Sequence, residues 1–223
     1  MNKNILLTVN VRSLDDELFR RAYDVVSSYR KKDVDRHRNR INKNLSLATE
    51  LLLKHGYALL GEDIDLETIV YGGKPYIDNQ HHFNFSHSGE YAICAISSDE
   101  VGCDIEAIGK YNNAIAKRFY HEKEYANLAS LRSEAEQIDL FYRYWTAKEA
   151  FVKNLGTGIK TPLNSFEIVI GDSIGVKQNI NDQSYYFKNF EMKDYALCVC
   201  SLNDEDIELI HFNFTLDTVE KLW

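Results

Sequence analysis

Asp104 and Glu106 stand two residues apart in the stretch VGCDIE at residues 101–106, which has the composition of a β-strand. In an extended strand such residues point to the same face, about 6 to 7 Å from one another. Two neighbouring carboxylates repel, and a shared proton, a basic partner or a bound cation relieves the repulsion. A site made of oxygen ligands alone favours magnesium or manganese over zinc. The alternative is a solvated strand face, which is how we interpret the similar pair Asp206 and Glu208.

A third carboxylate, Glu149, interrupts the apolar stripe of a helix predicted over residues 138–155. The stripe runs through Phe141 and Trp145 and resumes at Val152. Burying a carboxylate without a partner is costly, so Glu149 needs a cation or a basic side chain. Lys153, one turn further on, offers an ordinary surface ion pair. Both kinds of partner stay open at this point.

The stretch HFNFSHSG at residues 82–89 combines a short strand with a polar turn. Zinc is not favoured there, because no cysteine or further histidine completes a set of ligands at zinc-like spacing. The hydroxyl of Ser86 and the imidazole of His87 leave the strand end, and Gly89 follows them. This combination suits a phosphate-binding turn. A turn held by its own hydrogen bonds is the alternative.

Residues 30–43 form a basic run in a chain whose formal net charge is −8. The acidic balance argues against general nucleic-acid binding. The basic residues of the run are Arg30, Lys31, Lys32, Arg36, Arg38, Arg40 and Lys43. The run is either a solvated helix face or a site for a phosphorylated small molecule, because Arg and Lys form charge-assisted hydrogen bonds to phosphate.

The elements that carry these residues are a mixture of helices and strands. Apolar spacing predicts helices over residues 15–30, 40–55, 113–129 and 138–155, the second ending near Gly56 and the last at Gly156. An extended conformation is predicted for residues 1–11, for the region from the Gly72-Gly73 turn to residue 108, and for segments beyond residue 166.

Two segments of the chain are similar in sequence, YAICAIS at 91–97 and YALCVCS at 195–201. This similarity indicates either two related halves with a ligand cleft between them or a chance likeness of two strands.

Four cysteines without a C-x-x-C pair lie in apolar surroundings, which predicts reduced, buried thiols. The apolar run at the N-terminus is too short for the core of a signal peptide. No stretch approaches the roughly 18 apolar residues that cross a bilayer. We therefore expect a cytoplasmic protein that binds neither a membrane nor nucleic acid.

Five motifs together resemble the 4'-phosphopantetheinyl transferases of the surfactin-synthetase-activating type, in order and in spacing. They are Gly73-Lys74-Pro75, Phe83-Asn84-x-Ser86-His87-Ser88, Gly102-x-Asp104-x-Glu106, Arg118-Phe119 with Glu124-Tyr125, and Trp145-x-x-Lys148-Glu149-Ala150-x-x-Lys153. The resemblance spans residues 30–170. The D-x-E followed by W-x-x-K-E-A is its most specific part.

The resemblance implies an α+β pseudo-dimer of two similar halves, residues 1–108 and 109–223, with the active site in the cleft between them. It implies one Mg²⁺ held by Asp104, Glu106 and Glu149 against the pyrophosphate of coenzyme A. A carrier serine would attack the β-phosphate and release 3',5'-ADP. Glu149, directly or through a water, is the candidate base. Coenzyme A would contact Lys31, Arg40, Lys74, Ser86, His87 and Lys153, the last as donor to the leaving phosphate.

The resemblance also implies an apo acyl or peptidyl carrier protein as partner, and we expect it to dock on residues 108–119 of a monomeric enzyme. Glu124 is expected near the metal. Two other functions remain open. A Mg²⁺-dependent nucleotide hydrolase or nucleotidyl transferase would use the same carboxylates, but the chain has no P-loop. A non-catalytic module that binds a carrier protein or coenzyme A would not need a charge in a helix stripe.

Overall fold

The computed structural model describes residues 4–221 and shows the mixed α+β architecture that the sequence predicts. The strands are β1 (Asn4–Asn10), β2 (His82–Ser88), β3 (Tyr91–Ser97), β4 (Val101–Ala107), β5 (Glu167–Ile170), β6 (Ile174–Lys177), β7 (Tyr186–Asn189), β8 (Tyr195–Ser201) and β9 (Ile207–Phe212). The helices are α1 (Asp16–Val25), α2 (Ser28–Arg36), α3 (Arg40–Leu59), α4 (Asn113–Phe119), α5 (Glu122–Ser130), α6 (Glu134–Leu155) and α7 (Leu216–Glu220). Over the described range, no helix combines the length and the apolar character needed to cross a membrane.

The chain forms two compact units, and they divide it differently from the predicted halves. The first unit runs to Ser98 and resumes at Asp206, and the second is Asp99–Glu205. The predicted boundary at residue 108 leaves β4 in the first half, whereas β4 pairs with β8 in the second unit. The predicted second half includes β9, whereas β9 pairs with β1 in the first unit. Strand pairing, which local sequence does not encode, produces both differences.

The first unit is built on a four-stranded sheet in the order β2-β3-β1-β9. Strand β1 runs antiparallel to β3, with Leu7 opposite Cys94, and parallel to β9, with Leu7 opposite Ile210. The long helix α3 packs on this sheet with its apolar residues buried. β1 is a central strand, which explains why its sequence is a continuous apolar run rather than an alternating one.

Helix α3 does not end at Gly56, as the sequence predicts, but continues to Leu59. A Cβ atom at position 56 would overlap the Cδ1 atom of Ile96 on β3. Gly56 therefore lets the helix lie close to the sheet. The chain leaves the helix at Gly61, whose φ of 81° suits a glycine.

The predicted helices over 15–30 and 113–129 are each two shorter helices. Val26 and Ser27 are extended between α1 and α2, and the Ser27 hydroxyl caps α2. Tyr120 and His121 are extended between α4 and α5. The predicted helix over 138–155 begins earlier, at Glu134, and ends before Gly156 as expected.

The second unit contains a three-stranded sheet in the order β4-β8-β7 and the hairpin β5-β6. Helix α6 packs along β4 and β8. The two similar segments of sequence are both seven-residue strands, β3 in the first unit and β8 in the second. Asp206 and Glu208 are exposed, in keeping with the solvated strand face expected for them.

The contact between β4 and α6 depends on Gly102. A Cβ atom there would overlap two backbone atoms of α6, the carbonyl oxygen of Ala150 and the amide nitrogen of Asn154. A side chain could relieve such an overlap by changing its rotamer, but backbone atoms cannot. Only glycine at position 102 therefore allows the helix to lie this close to the strand.

We predict that Gly102→Ala lowers the free energy of unfolding by about 3 kcal/mol or more, because α6 must move away from β4. Urea unfolding measures this change. The matched control is Gly175→Ala in β6, where an added Cβ would meet no atom within 4 Å. It should change stability by less than about 0.5 kcal/mol. Equal stability of the two variants would contradict the close contact.

Candidate functional site

The D-x-E motif lies on β4 and the W-x-x-K-E-A motif lies on α6, and these two elements pack side by side. Trp145 Nε1 donates to Glu106 Oε1 at 3.3 Å, and Lys153 Nζ lies 2.6 Å from Asp104 Oδ1. Four residue-to-residue steps of strand cover about 13 Å and nine steps of helix about 13.5 Å, so the segments from 102 to 106 and from 145 to 154 are about equally long. The strand and the helix therefore run in opposite directions with matched spacing.

Asp104 and Lys153 form the closest ion pair of this contact. Asp104 is 3% exposed. Lys153 Nζ also donates to the carbonyl oxygen of Cys103 at 3.2 Å. Burial lowers the pKa of Lys153, but Asp104, with contributions from Cys103 and Glu149, opposes this effect, and the pKa is raised above its usual value. Lys153 is therefore a firmly protonated donor. Its closest ion pair is with Asp104, and not the surface pair with Glu149 that the spacing on the helix allowed.

Glu149 is half-buried on α6 beside the two carboxylates of β4. Its pKa is raised, first by burial and then by Asp104, with a further contribution from Glu106 that Lys153 opposes. Glu149 is thus influenced electrostatically by both carboxylates of β4. Glu149 fills the interruption in the apolar stripe because this part of the helix faces charged side chains.

The chemistry of these donors fits a divalent cation that prefers oxygen ligands, because all three side chains supply carboxylate oxygens. The positions fit it less closely. Within residues 4–221, no three His, Cys, Asp or Glu side chains are gathered tightly enough to hold a metal ion as they stand. One oxygen of Asp104 is engaged by the ammonium group of Lys153. Magnesium binding by Asp104, Glu106 and Glu149 stays a prediction.

Lys148 and Glu124, which both belong to the sequence motifs, form a buried ion pair in the second unit. Lys148 Nζ lies 2.8 Å from Glu124 Oε2, and the side chains are 0% and 1% exposed. Lys148 Nζ also donates to the carbonyl oxygens of Leu163 and Phe166 at 2.7 and 3.0 Å. Glu124 accepts from the amides of His121 at 2.8 Å and Ile168 at 2.5 Å. Both charged groups are therefore well satisfied.

This pair explains the two consecutive charges of the W-x-x-K-E-A motif. Successive residues of a helix point in different directions, so Glu149 faces β4 while Lys148 joins α6 to α5 and to the chain before β5. Burial raises the pKa of Glu124 and lowers the pKa of Lys148, and each partner opposes the shift of the other. Glu124 was expected near the metal, and the structure shows its two oxygens engaged in this pair and in backbone contacts.

The predicted phosphate ligands Lys31 and Arg40 belong to the first unit and make local contacts there. Lys31 Nζ donates to the carbonyl oxygen of Asp24 at 3.1 Å. Arg40 is 2.8 Å from Asp16 Oδ1 and lies over the ring of Phe19. Both contacts are near the surface.

The other predicted phosphate ligands of the first unit are Lys74, Ser86 and His87. Lys74 lies in the turn closed by the bridge between Val70 and Tyr76. Ser86 is buried and His87 exposed. These two residues lie within β2, and not in the turn after it as the sequence suggested.

The basic run is not a uniformly solvated helix face, because Arg30 is only 9% exposed. Its guanidinium group pairs with Glu50, a residue of α3 that is fully buried. Sequence reasoning missed Glu50. The signal was present, since Glu50 interrupts an apolar helical stretch as Glu149 does.

Comparisons with known proteins agree with these motifs. The family model described as the 4'-phosphopantetheinyl transferase superfamily matches residues 100–200. The chain is 34% identical over 202 residues to the 4'-phosphopantetheinyl transferase gsp of Aneurinibacillus migulanus, covering 88% of this chain and 78% of that protein. It is 32% identical to the 4'-phosphopantetheinyl transferase Sfp of Bacillus subtilis, covering 90% and 94%.

Similarity to solved structures is weaker. A holo-(acyl-carrier-protein) synthase from Bacillus anthracis, solved in complex with CoA (3',5'-ADP), matches with a TM-score of 0.40 and 18% identity. The match covers 48% of this chain and 96% of that one.

We predict that Lys148→Met lowers the free energy of unfolding by about 3–5 kcal/mol, because it leaves the Glu124 carboxylate buried without a cation. The double variant Lys148→Met/Glu124→Gln should recover part of this loss, since the stranded charge is gone. Urea unfolding measures both. Lys177→Met removes an exposed partner of Glu167 and is the control, with a change below about 0.5 kcal/mol. A fully stable Lys148→Met protein would show that the pair does not matter.

Proposed function

This chain belongs to the 4'-phosphopantetheinyl transferase superfamily, whose activity is the transfer of phosphopantetheine to carrier proteins, and we propose that it uses Mg²⁺ held by Asp104, Glu106 and Glu149. The donor is coenzyme A, the acceptor is a serine of an apo acyl or peptidyl carrier protein, and the other product is 3',5'-ADP. The main support for the proposal is the packing of β4 against α6. This packing brings Lys153 into an ion pair with Asp104 and places Glu149 close enough to Asp104 and Glu106 to be influenced by their charges.

The proposed reaction forms a bond between the serine oxygen and the β-phosphorus of coenzyme A and breaks the bond from that phosphorus to the bridging oxygen. Asp104, Glu106 and Glu149 would hold Mg²⁺, which when bound would neutralise charge on the phosphate oxygens. Glu149 would accept the serine proton, directly or through a water. Lys153, whose pKa is raised with Asp104 as a main cause, would donate a hydrogen bond to the leaving phosphate of 3',5'-ADP. No covalent intermediate with the protein is required.

The phosphates of coenzyme A are assigned to Lys31, Arg40, Lys74, Ser86 and His87. Lys31 would exchange the carbonyl oxygen of Asp24 for phosphate oxygens, and Arg40 would exchange Asp16, the side-chain oxygen of Asn44 and the carbonyl oxygen of Asp15. The exposed ion pair between Arg40 and Asp16 contributes little to stability, so its loss costs little. Phosphate oxygens accept stronger, charge-assisted hydrogen bonds from the same side chains.

The carrier protein is assigned to residues 108–119. Ile108, Lys110, Lys117 and Arg118 are exposed there, and Phe119 is partly buried. This mixture of basic and apolar side chains suits an acidic partner, which the acidic enzyme would otherwise repel. The four cysteines are buried and reduced, which supports a cytoplasmic location. A monomer remains the proposed state.

We predict that Asp104→Asn, Glu106→Gln and Glu149→Gln each lower the transfer rate by about 10³-fold or more, because each removes a ligand of the proposed metal. Intact-mass measurement of apo carriers after incubation with coenzyme A and Mg²⁺ gives the rate. Addition of Mg²⁺ should raise the thermal midpoint of the wild type but not of these variants. Glu208→Gln, at an exposed position of β9, is the control and should keep the full rate.

Two outcomes would contradict this proposal. Full activity in excess EDTA would exclude the metal. Release of 3',5'-ADP from coenzyme A in the absence of a carrier protein would indicate a hydrolase.

We predict that the double charge reversal Lys117→Glu/Arg118→Glu raises the KM for the carrier about tenfold, while the KM for coenzyme A and kcat stay unchanged. Steady-state kinetics at low ionic strength measure this effect. Lys177→Glu/Lys193→Glu changes the net charge equally at other exposed positions of the same unit and should leave all three parameters unchanged. An unaltered KM for the carrier in the first variant would remove residues 108–119 from the proposal.

A further inference from the structure

One buried carboxylate, Glu50 on α3, gathers hydrogen bonds from two other segments of the first unit. Its two oxygens accept from the backbone amide and the hydroxyl of Ser27, each at 2.8 Å. The hydroxyl of Tyr71 donates to it in a very short hydrogen bond. Arg30 Nε lies 3.4 Å from Glu50 Oε1. We call Ser27, Arg30, Glu50 and Tyr71 the Glu50 cluster. It is a single centre where α2, α3 and the chain around residue 71 are joined.

The bonds to Ser27 and Arg30 fix the position of α2. Ser27 is the N-cap of α2, and its hydroxyl accepts from the amide of Arg30 while donating to Glu50. Arg30 makes further contacts with Asp33 on α2 and with Ser46 on α3. The start of α2 is therefore attached to α3 through buried polar groups. Lys31 follows Arg30 on α2, so this attachment also fixes the position of its backbone.

The bond to Tyr71 fixes the turn that carries Lys74. The turn is closed by two backbone hydrogen bonds between Val70 and Tyr76, at 2.9 and 3.3 Å, and contains two consecutive glycines at 72 and 73. Gly72 has a φ of 139°, and glycines leave a turn with much conformational freedom. Tyr71 counteracts that freedom at the base of the turn, because its hydroxyl is bonded to Glu50 and accepts from Arg30 at 3.1 Å.

The aromatic ring of Tyr71 adds a second hold on the turn. It stacks on Tyr29 of α2 with ring centroids 3.8 Å apart and an interplanar angle of 7°. The guanidinium group of Arg30 lies 5.5 Å from the centroid of the same ring. The turn and α2 thus hold each other as well as α3.

We propose that Glu50 is a positioning residue for coenzyme A, which fixes Lys31 and Lys74 at the spacing that the phosphates require. This inference rests on the proposed function, because it takes Lys31 and Lys74 as phosphate ligands. Arg40, the first residue of α3, is carried by the same helix as Glu50. All three basic residues assigned to the phosphates in the first unit therefore lie on segments that meet at one carboxylate. A pre-positioned set of cations binds more tightly than a flexible one, because less conformational entropy is lost on binding.

Tyr71→Phe is the sharpest test, since it removes only the hydroxyl that ties the turn to Glu50 and keeps the stacked ring. We expect the KM for coenzyme A and the dissociation constant for 3',5'-ADP to rise about tenfold, with kcat within about twofold of the wild type. Glu50→Gln, which also weakens the hold on α2, should raise both constants further. Tyr57→Phe removes another tyrosine hydroxyl of the first unit, bonded to Asn79, and should change neither constant.

A double-mutant cycle separates positioning from a general structural role. If Tyr71 acts through Lys74, Tyr71→Phe should add little in a Lys74→Ala background, so that the two effects are strongly non-additive. Thermal unfolding is recorded for each variant so that only folded proteins enter the cycle. If Glu50→Gln does not fold, the Tyr71→Phe and Lys74→Ala cycle alone decides.

The outcomes separate this inference from the proposed function. Tyr71→Phe with wild-type constants, or with the same tenfold effect in the Lys74→Ala background, would overturn the inference while transfer by the wild type continued. A wild-type protein that neither binds 3',5'-ADP nor modifies any apo carrier would overturn the proposed function and this inference together.

Discussion

The close contact between β4 and α6 is the constraint on which the site depends. Helix and strand have different residue spacings, and they keep several side chains opposite one another only when their axes are close and nearly aligned. The lack of a side chain at Gly102 allows that approach. Asp104 then meets Lys153, and Glu106 meets Trp145. The backbone segments that carry Asp104, Glu106 and Glu149 are both held by the packing of the second unit.

Buried charge has a different role in each unit. In the second unit, Lys148 and Glu124 each have backbone partners, and together they join α6 to α5 and to the irregular chain before β5. In the first unit, Glu50 joins three segments through side chains as well as one backbone amide. Hydrophobic packing alone could hold these segments together, but it is less directional than hydrogen bonds to a carboxylate. The chain uses buried ionic groups where the position of an irregular segment has to be defined.

Sequence reasoning predicted the parts of this molecule that depend on local pattern. The strand around Asp104, the helix around Glu149 and its end at Gly156 all follow from periodicity and from glycine. The interruption of an apolar stripe predicts that Glu149 needs a cation or a basic partner, and the identity of that partner stays a prediction. The same rule applies to Glu50, but there the partner is Arg30 in the basic run, and that run was interpreted by its charge alone.

The features that were missed depend on contacts between distant residues. Gly56 reads as a helix end, and only its proximity to Ile96 explains why the helix continues. The direction of Lys148 away from β4 depends on where α5 packs. The exchange of β4 and β9 relative to the predicted halves arises from pairing choices among strands of similar composition, which a single sequence does not specify.

The return of the chain to the first sheet at β9 has a consequence for folding during synthesis. β1 is made first, yet its parallel neighbour β9 follows the whole second unit in the sequence. While the ribosome is still translating the intervening residues, the edge of β1 that β9 later covers stays open to water and to other chains. The second unit is contiguous and can fold as it emerges. Once the second unit has folded, the loop that must be closed to pair β9 with β1 is effectively shorter. The order of translation therefore favours folding of the second unit before the first unit is completed by β9.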